Sequence, residues 1–190
     1  MFFTSDTHFG HKNIIRFSNR PYRDENHMNE ELIKNWNALI GDDDEVYHLG
    51  DVSLTNSSKT EEILYRLNGK IYLINGNHEK SVDKSKRCRD RFEWIKDKYH
   101  LNIHTEGDKQ MIVLDHYAGR VWNKSHHGAW MLYGHSHDSL EYQAWGKSMD
   151  VGVDSAARLL GEYRPFRFNE IKSILDKREK MVVDHHTGGT

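Results

Sequence analysis

The chain has 190 residues, of which 36% are hydrophobic and 29% are charged, and its formal net charge is −2. This length suits one domain with a full core, which we expect over 1–183 with a frayed tail at 184–190. The near-neutral charge argues against a general binder of polyanions. The single cysteine, Cys88, excludes an intrachain disulfide and favours a reducing compartment, and we interpret it as a passive surface thiol. Because no signal peptide or transmembrane run is evident, we expect a cytoplasmic protein without a membrane partner.

The first part of the chain alternates between predicted strands and helices. Short apolar or β-favouring runs predict strands at 2–5, 45–50 and 70–74. Apolar residues at helical spacing predict a helix over 26–40 that buries Trp36 and is capped by Gly41. A second helix begins with a capping box at 58–61. This order favours an α/β fold with parallel strands and a functional site at the strand ends.

The rest of the chain predicts further strands and a closing helix. A hairpin is expected over 101–114, with its turn at 106–108. Strands are expected at 129–133 and 148–153, and a helix at 169–179. No internal repeat, low-complexity segment or linker interrupts this pattern.

Ligand-type residues follow five of these predicted strands. A carboxylate can hold two cations at once, and Asp51 stands at the tip of the strand 45–50. Two metal ions about 3.5–4 Å apart can clamp the attacking and leaving oxygens of a displacement at phosphorus. The other blocks offer further carboxylate, amide and imidazole ligands. The five blocks are Asp6-x-His8, Gly50-Asp51, Gly76-Asn77-His78-Glu79, His116 and Gly134-His135-Ser136-His137.

Two other histidines and one basic run have open roles. His11 is compatible with contact to substrate phosphate and equally with a hydrogen bond inside a loop. His48 is interpreted as a packed or supporting residue rather than a ligand. Between 80 and 91 there are six Lys or Arg residues, interrupted by two aspartates. This run reads as a solvated helix face, with contact to an anionic substrate as the alternative.

The five blocks, in this order, resemble the calcineurin-like metallophosphoesterase superfamily, in particular its small single-domain members from bacteria and phages. The resemblance implies a four-layer αββα fold, with helices outside two packed mixed sheets. It implies that Asp6, His8, Asp51 and His137 hold one ion. Asp51, Asn77, His116 and His135 would hold the second ion. By the same resemblance His78 is not a ligand and acts on the leaving oxygen or the phosphoryl charge. Together with the position of His11, this gives His78, Asn77 and His11 as the candidate substrate contacts.

One departure from the superfamily bears on the substrate. Protein phosphatases of this group carry Gly-Asp-x-x-Asp-Arg-Gly, whereas Gly50-Asp51 is followed here by Val52-Ser53-Leu54-Thr55. The arginine that grips phosphate and the aspartate that pairs with the catalytic histidine are both missing. This favours a phosphodiester, or a small phosphomonoester such as a nucleotide, over a phosphoprotein.

The residues themselves favour a metal-dependent phosphoric ester hydrolase. Oxygen and nitrogen ligands without thiolate suit two divalent ions of Mn²⁺, Fe, Zn²⁺ or Ni²⁺ type, among which the sequence does not choose. Attack on phosphorus would come from a bridging hydroxide. Two alternatives remain, a nuclease whose groove is the 80–91 basic run and a retromer-like protein-binding scaffold without catalysis. The sequence leaves the natural substrate and the oligomeric state open.

Overall fold

The computed structural model describes residues 1–105, 108–141 and 145–182. A short 3₁₀ helix spans Ser125–His127. In chain order the elements are β1 (Phe2–Thr4), α1 (Lys12–Phe17), α2 (Glu25–Asn37), β2 (Glu45–His48), α3 (Ser57–Leu64), β3 (Lys70–Ile74), α4 (Lys80–Asp83), α5 (Lys86–Arg89), β4 (Phe92–Lys96), β5 (Lys98–Thr105), β6 (Asp108–Asp115), β7 (Trp130–Tyr133), β8 (Ser148–Asp150), α6 (Val153–Leu160), β9 (Phe166–Arg167) and α7 (Phe168–Leu175).

The strands form two mixed sheets. The first has the order β4-β3-β2-β1-β9, and the second has the order β5-β6-β7-β8. In the first sheet β1 to β4 pair in parallel, and β9 is antiparallel to β1. In the second sheet β6, β7 and β8 are parallel, and β5 is antiparallel to β6. The expected parallel order of the first three strands is therefore confirmed.

Alternating apolar residues on the first sheet bury both of its faces. Phe2 and Val46 join the core cluster that includes Trp36, whereas their neighbours Phe3 and Tyr47 join the cluster shared with the second sheet. The second cluster also contains residues from β6 to β8 and from α7. The two mixed sheets thus pack together with helices outside them, and the expected four-layer αββα fold is confirmed.

Several local details differ from the sequence predictions. Helix α2 ends at Asn37 and is capped by Ala38, so Gly41 does not cap it. The cap of α3 is Asn56, whose side chain accepts from the N–H of Lys59, because the helix begins before the predicted capping box at 58–61. The strand predicted over 148–153 stops at Asp150, and Val153 already starts α6.

The prediction of Cys88 as a surface thiol is wrong. Cys88 is fully buried on α5, where it joins the first core cluster. Burial raises the pKa of its thiol, although three basic residues surround it in the sequence. The thiol packs in this core cluster, and its Sγ donates to the Ser57 carbonyl at 3.4 Å, so packing rather than local charge decides its environment.

Two predictions lie partly or wholly outside the described residues. The hairpin pairs β5 with β6 from Lys98 to Asp115, but 106–107 of its expected turn are not described. The expected frayed tail at 184–190 also lies outside them. Of the helices that the structure describes, none has the length and apolar character needed to span a membrane.

Candidate metal centre

The carboxyl ends of parallel strands from both sheets meet at one edge of the molecule. Asp6 and His8 follow β1, Asp51 follows β2, and Asn77 follows β3. From the second sheet, His116 follows β6, and His135 and His137 follow β7. Because the ends of parallel strands gather at a common edge, all seven expected ligands lie in one region.

Six of these residues form two clusters of metal-binding type. The first cluster contains Asp6, His8 and His137, and the second contains Asp51, His116 and His135. Within each cluster the candidate ligand atoms lie within 4.8 Å of one another. The structure therefore has two candidate Asp/His sites that are compatible with a dinuclear centre.

Asp51 lies between the two clusters. Its Oδ2 is 3.5 Å from Nε2 of His8, in the first cluster. Its Oδ1 is 3.6 Å from Nε2 of His116, in the second. The backbone N–H of His78 donates to Oδ1 at 2.9 Å and fixes the carboxylate. The two oxygens of one buried side chain thus face both sites.

The first cluster contains buried polar atoms without a protein partner. Oδ2 of Asp6 accepts from the Ser5 hydroxyl at 2.5 Å and from the His135 N–H at 2.9 Å. Oδ1 of Asp6 and Nε2 of His8 are buried, and among the described residues neither has a hydrogen-bond partner. Since buried polar atoms are nearly always paired, these orphaned atoms fit a cation between them.

In the second cluster two lone pairs point toward each other. Nδ1 of His116 donates to the Leu49 carbonyl at 2.7 Å, so the Nε2 of the neutral ring carries a lone pair. That nitrogen lies 3.0 Å from Oδ1 of Asn77. Burial lowers the pKa of His116, which keeps the ring neutral and able to bind metal. Asn77 and His135 are exposed and open this cluster to solvent.

The electrostatics of the first cluster also fit a bound cation. Burial, together with the charge of Asp150, raises the pKa of Asp6 to about 8. Burial and the neighbouring His137 strongly lower the pKa of His8. A cation between them would oppose the burial penalty on the Asp6 carboxylate and would bind the neutral form of His8. This donor set of carboxylate, amide and imidazole suits first-row divalent metals.

The backbone at the site is left-handed at most of the expected ligands. Five of the eight non-glycine residues with positive φ in the described chain belong to the two clusters. Such conformations cost about 1–3 kcal/mol each and persist only where the surroundings enforce them. The five are Asp6 (φ 54°), His8 (φ 49°), Asp51 (φ 58°), His135 (φ 64°) and His137 (φ 46°).

A buried charge network that the sequence analysis missed supports the first cluster. Arg20 donates to both oxygens of Asp154 at 2.9 Å, and also to the carbonyls of Asp6 and Thr7. Asp154 Oδ2 accepts from Nδ1 of His137 at 2.7 Å. Burial alone would lower the pKa of His137, but this hydrogen bond and the charge of Asp6 raise it. Asp154 was detectable as an acidic residue just after the predicted strand 148–153, whereas no sequence signal marked Arg20.

Glu79 and Gly76 hold Asp51 in place. The Asp51 N–H donates to Oε1 of Glu79 at 2.5 Å. Burial, together with the charge of Asp51, raises the pKa of Glu79 to about 7. A Cβ on Gly76 would lie 2.3 Å from Oδ1 of Asp51, so any side chain there would displace the carboxylate.

The other predicted residues lie around the clusters. The rings of His11 and His78 are 5.4 and 5.8 Å from the ring of His8, and both are half-buried. His48 is buried against Trp36, and its Nε2 is 3.0 Å from the Thr7 hydroxyl, which agrees with a packed role. Tyr117, which the sequence analysis did not single out, is half-exposed, and its hydroxyl lies 3.4 Å from Oδ1 of Asn77.

The fold and the site define a four-layer α/β protein with two adjoining Asp/His clusters suited to metal ions. The uncharacterized protein MJ1445 of Methanocaldococcus jannaschii is 33% identical over 184 residues, which cover 93% of this chain and 92% of that protein. The chain belongs to the same family as MJ1445.

Two more distant comparisons concern one relative and one solved structure. The gene 66 protein of Mycobacterium phage L5 is 27% identical over 186 residues and aligns with 83% of this chain and 88% of its own length. The protein of unknown function AQ665 from Aquifex aeolicus shares the fold with a TM-score of 0.64 and 23% identity, over 92% of this chain and 98% of its own. No family model matches the chain.

Proposed function

We propose that this chain is a binuclear metal-dependent phosphoesterase that hydrolyses a phosphodiester or a small phosphomonoester. The observation that carries the proposal is the position of Asp51, whose two oxygens lie 3.5 Å from His8 and 3.6 Å from His116. A single carboxylate between two clusters can hold two ions close together, as two-metal displacement at phosphorus requires. The motif resemblance to calcineurin-like metallophosphoesterases supports the same reading.

Each cluster contributes ligands to one of the two ions. When bound, two divalent cations supply charge stabilisation for the phosphoryl oxygens and lower the pKa of a water molecule to about 7. The choice among Mn²⁺, Fe, Zn²⁺ and Ni²⁺ stays open. The first ion would be held by Asp6, His8, Asp51 and His137, and the second by Asp51, Asn77, His116 and His135.

The surrounding residues orient the ligands and handle the proton. Asp154 fixes the tautomer of His137 through its Nδ1–H, and the Leu49 carbonyl does the same for His116. His78 is tied to Asp51 through its backbone N–H, so this bond leaves its half-buried ring available to the substrate. We infer that this ring gives a proton to the leaving oxygen as water attacks phosphorus. His11, on the other side of His8, is a candidate contact for the phosphoryl group.

Hydrolysis of bis(p-nitrophenyl) phosphate with Mn²⁺ supplied is the direct test. We expect turnover that is abolished by chelation and by Asp51→Asn, with Asp42→Asn as the control because Asp42 is an exposed acid in a loop. Failure to hydrolyse any phosphate ester while two ions are bound would refute the proposal and favour the scaffold alternative. Single-stranded DNA and RNA serve as rival substrates, and a preference for them would favour the nuclease alternative.

A further inference from the structure

The basic run at 80–91 divides into two groups with different surroundings. Four of its cations are engaged on the protein surface. Lys86 pairs with Asp90, Arg87 with Glu61, Arg89 with the carbonyl of Asp83, and Arg91 with the carbonyls of Leu64, Leu67 and Gly69. By contrast, Lys80 at the start of α4 and Lys84 at its C-cap are exposed and have no acidic partner in the described part of the chain. The run therefore does not present one continuous basic groove to a polyanion, because four of its six cations are bound to carboxylates or backbone carbonyls of the protein.

Lys80 and Lys84 line a cavity of about 410 Å³ between α4 and the start of α3. No carboxylate is among its lining residues in the described chain. The Ser57 hydroxyl in its wall donates to the carbonyl of Ser81 at 2.8 Å and is therefore engaged within the protein. The two ammonium groups are thus the charged groups that the cavity offers to a ligand. Its volume falls within the range of about 300–1,000 Å³ of small-molecule sites.

The cavity adjoins the candidate metal centre through His78. His78 lines the cavity, and its backbone N–H donates to Asp51 at 2.9 Å. Its ring is also 5.8 Å from the ring of His8. A substrate with its phosphorus at the clusters and its leaving oxygen at His78 would therefore extend its leaving group toward Lys80 and Lys84.

We propose that the substrates of this enzyme carry a second phosphate on the leaving group, and that Lys80 and Lys84 bind it in this cavity. The proposal rests on the proposed phosphoesterase function. In the reaction, the oxygen of water bonds to phosphorus and the ester P–O bond breaks. Its electron pair remains on the leaving oxygen, which takes up a proton, and the phosphorylated leaving group departs. Two exposed ion pairs together account for about a tenfold gain in affinity.

The test compares adenosine 3′,5′-bisphosphate with adenosine 5′-monophosphate as inhibitors of bis(p-nitrophenyl) phosphate hydrolysis. The measured quantity is the ratio of the two inhibition constants, in which a change in turnover cancels. We expect the bisphosphate to inhibit the parent about tenfold more strongly, and this advantage to vanish in the double variant Lys80→Ala, Lys84→Ala. The matched control is Lys59→Ala, Lys177→Ala, which removes two exposed lysines outside the cavity and should keep the advantage.

Calorimetric titration of the same two nucleotides into protein with Mn²⁺ separates this proposal from the proposed function. If no hydrolysis occurs but the bisphosphate still binds about tenfold more tightly and depends on both lysines, the phosphate site stands and the phosphoesterase function fails. If the parent binds both nucleotides equally, the proposal is overturned. An advantage that persists in the Lys80→Ala, Lys84→Ala variant overturns it as well.

Discussion

Asp154 and His137 are joined by a hydrogen bond of 2.7 Å, and the buried Arg20 holds the other side of the Asp154 carboxylate. The pair links the first turn of α6 to the loop after β7. Because His137 donates its Nδ1–H to Asp154, its Nε2 is left to face Asp6 and His8. A carboxylate that orients a metal-binding imidazole in this way usually matters for affinity as much as for position.

Replacing Asp154 by asparagine should therefore weaken one metal site and spare the other. We expect the affinity of the first site for Mn²⁺ to fall by about 10–100-fold, since the His137 ring loses its charged acceptor. Calorimetric titration of Mn²⁺ would resolve the two sites. Asp176→Asn, at the exposed residue that caps the C-terminus of α7, is the control. Equal weakening of both sites would contradict the assignment of His137 to the first cluster.

Asp51→Asn should disturb both sites at once, because each oxygen of Asp51 faces a different cluster. We expect about two Mn²⁺ ions per chain in the parent and fewer than one in the variant, by elemental analysis after desalting. Asp42→Asn should retain the parental content. A parent that never binds more than one ion at saturating Mn²⁺ would rule out the two-metal mechanism.

His78→Ala should reduce kcat without loss of metal. Proton transfer from a positioned side chain contributes about 10²–10⁴ in rate, so we expect a decrease of that order. The loss should be smaller for p-nitrophenolate as the leaving group than for an alkoxide, which needs the proton more. His100→Ala is the control, because His100 is an exposed residue of β5. Loss of metal from the His78 variant would instead make His78 a ligand.

Trp36→Ala should cost about 3–5 kcal/mol in the free energy of unfolding. Trp36 is 1% exposed in the first core cluster, and its Nε1–H donates to the Asn68 carbonyl at 3.0 Å. Urea denaturation measures the loss, and Phe17→Ala, at a side chain that is 63% exposed, provides the comparison. A variant with parental stability but impaired substrate binding would refute this structural role.

His48 should make folding less favourable in mild acid. The Thr7 hydroxyl donates to the Val52 carbonyl and so accepts from Nε2 of His48, which leaves the buried Nδ1 unpaired among the described residues. Burial lowers the pKa of His48 from 6.5 to about 3. Below about pH 6.5 His48 is thus protonated in the unfolded chain but stays neutral in the folded chain. The free energy of unfolding therefore decreases as the pH falls below this value.

This loss should be visible in a comparison with His48→Gln, which cannot titrate. Between pH 7.5 and pH 5.5 the parent should lose about 1 kcal/mol more of its free energy of unfolding than the variant, measured by urea denaturation. Parallel pH dependence of the two proteins would show that His48 does not carry the effect.

The main elements and the residues that gather at the site were predictable from local patterns. Apolar residues alternate along β1 to β3 and recur at helical spacing in α2, according to which faces of each element are buried. Such periods involve residues close together in the chain and can therefore be read from the sequence. The strand-end positions of Asp6, Asp51 and His116 follow in turn, because parallel strands bring their carboxyl ends to one edge. Helix α1 and the strands β4 and β9 were not predicted, and β9, with two residues, is too short to show a period in the sequence.

Other features were decided only by tertiary packing. Cys88 is buried although its neighbours are basic, because α5 packs against the first core cluster. Arg20 and Asp154 are 134 residues apart in the chain, and only the folded molecule brings this ion pair to the metal-binding loops. The division of the basic run depends in the same way on contacts of α4 and α5 with α3. Long-range contacts leave no local period in the sequence, so burial and charge pairing at these positions became visible only in three dimensions.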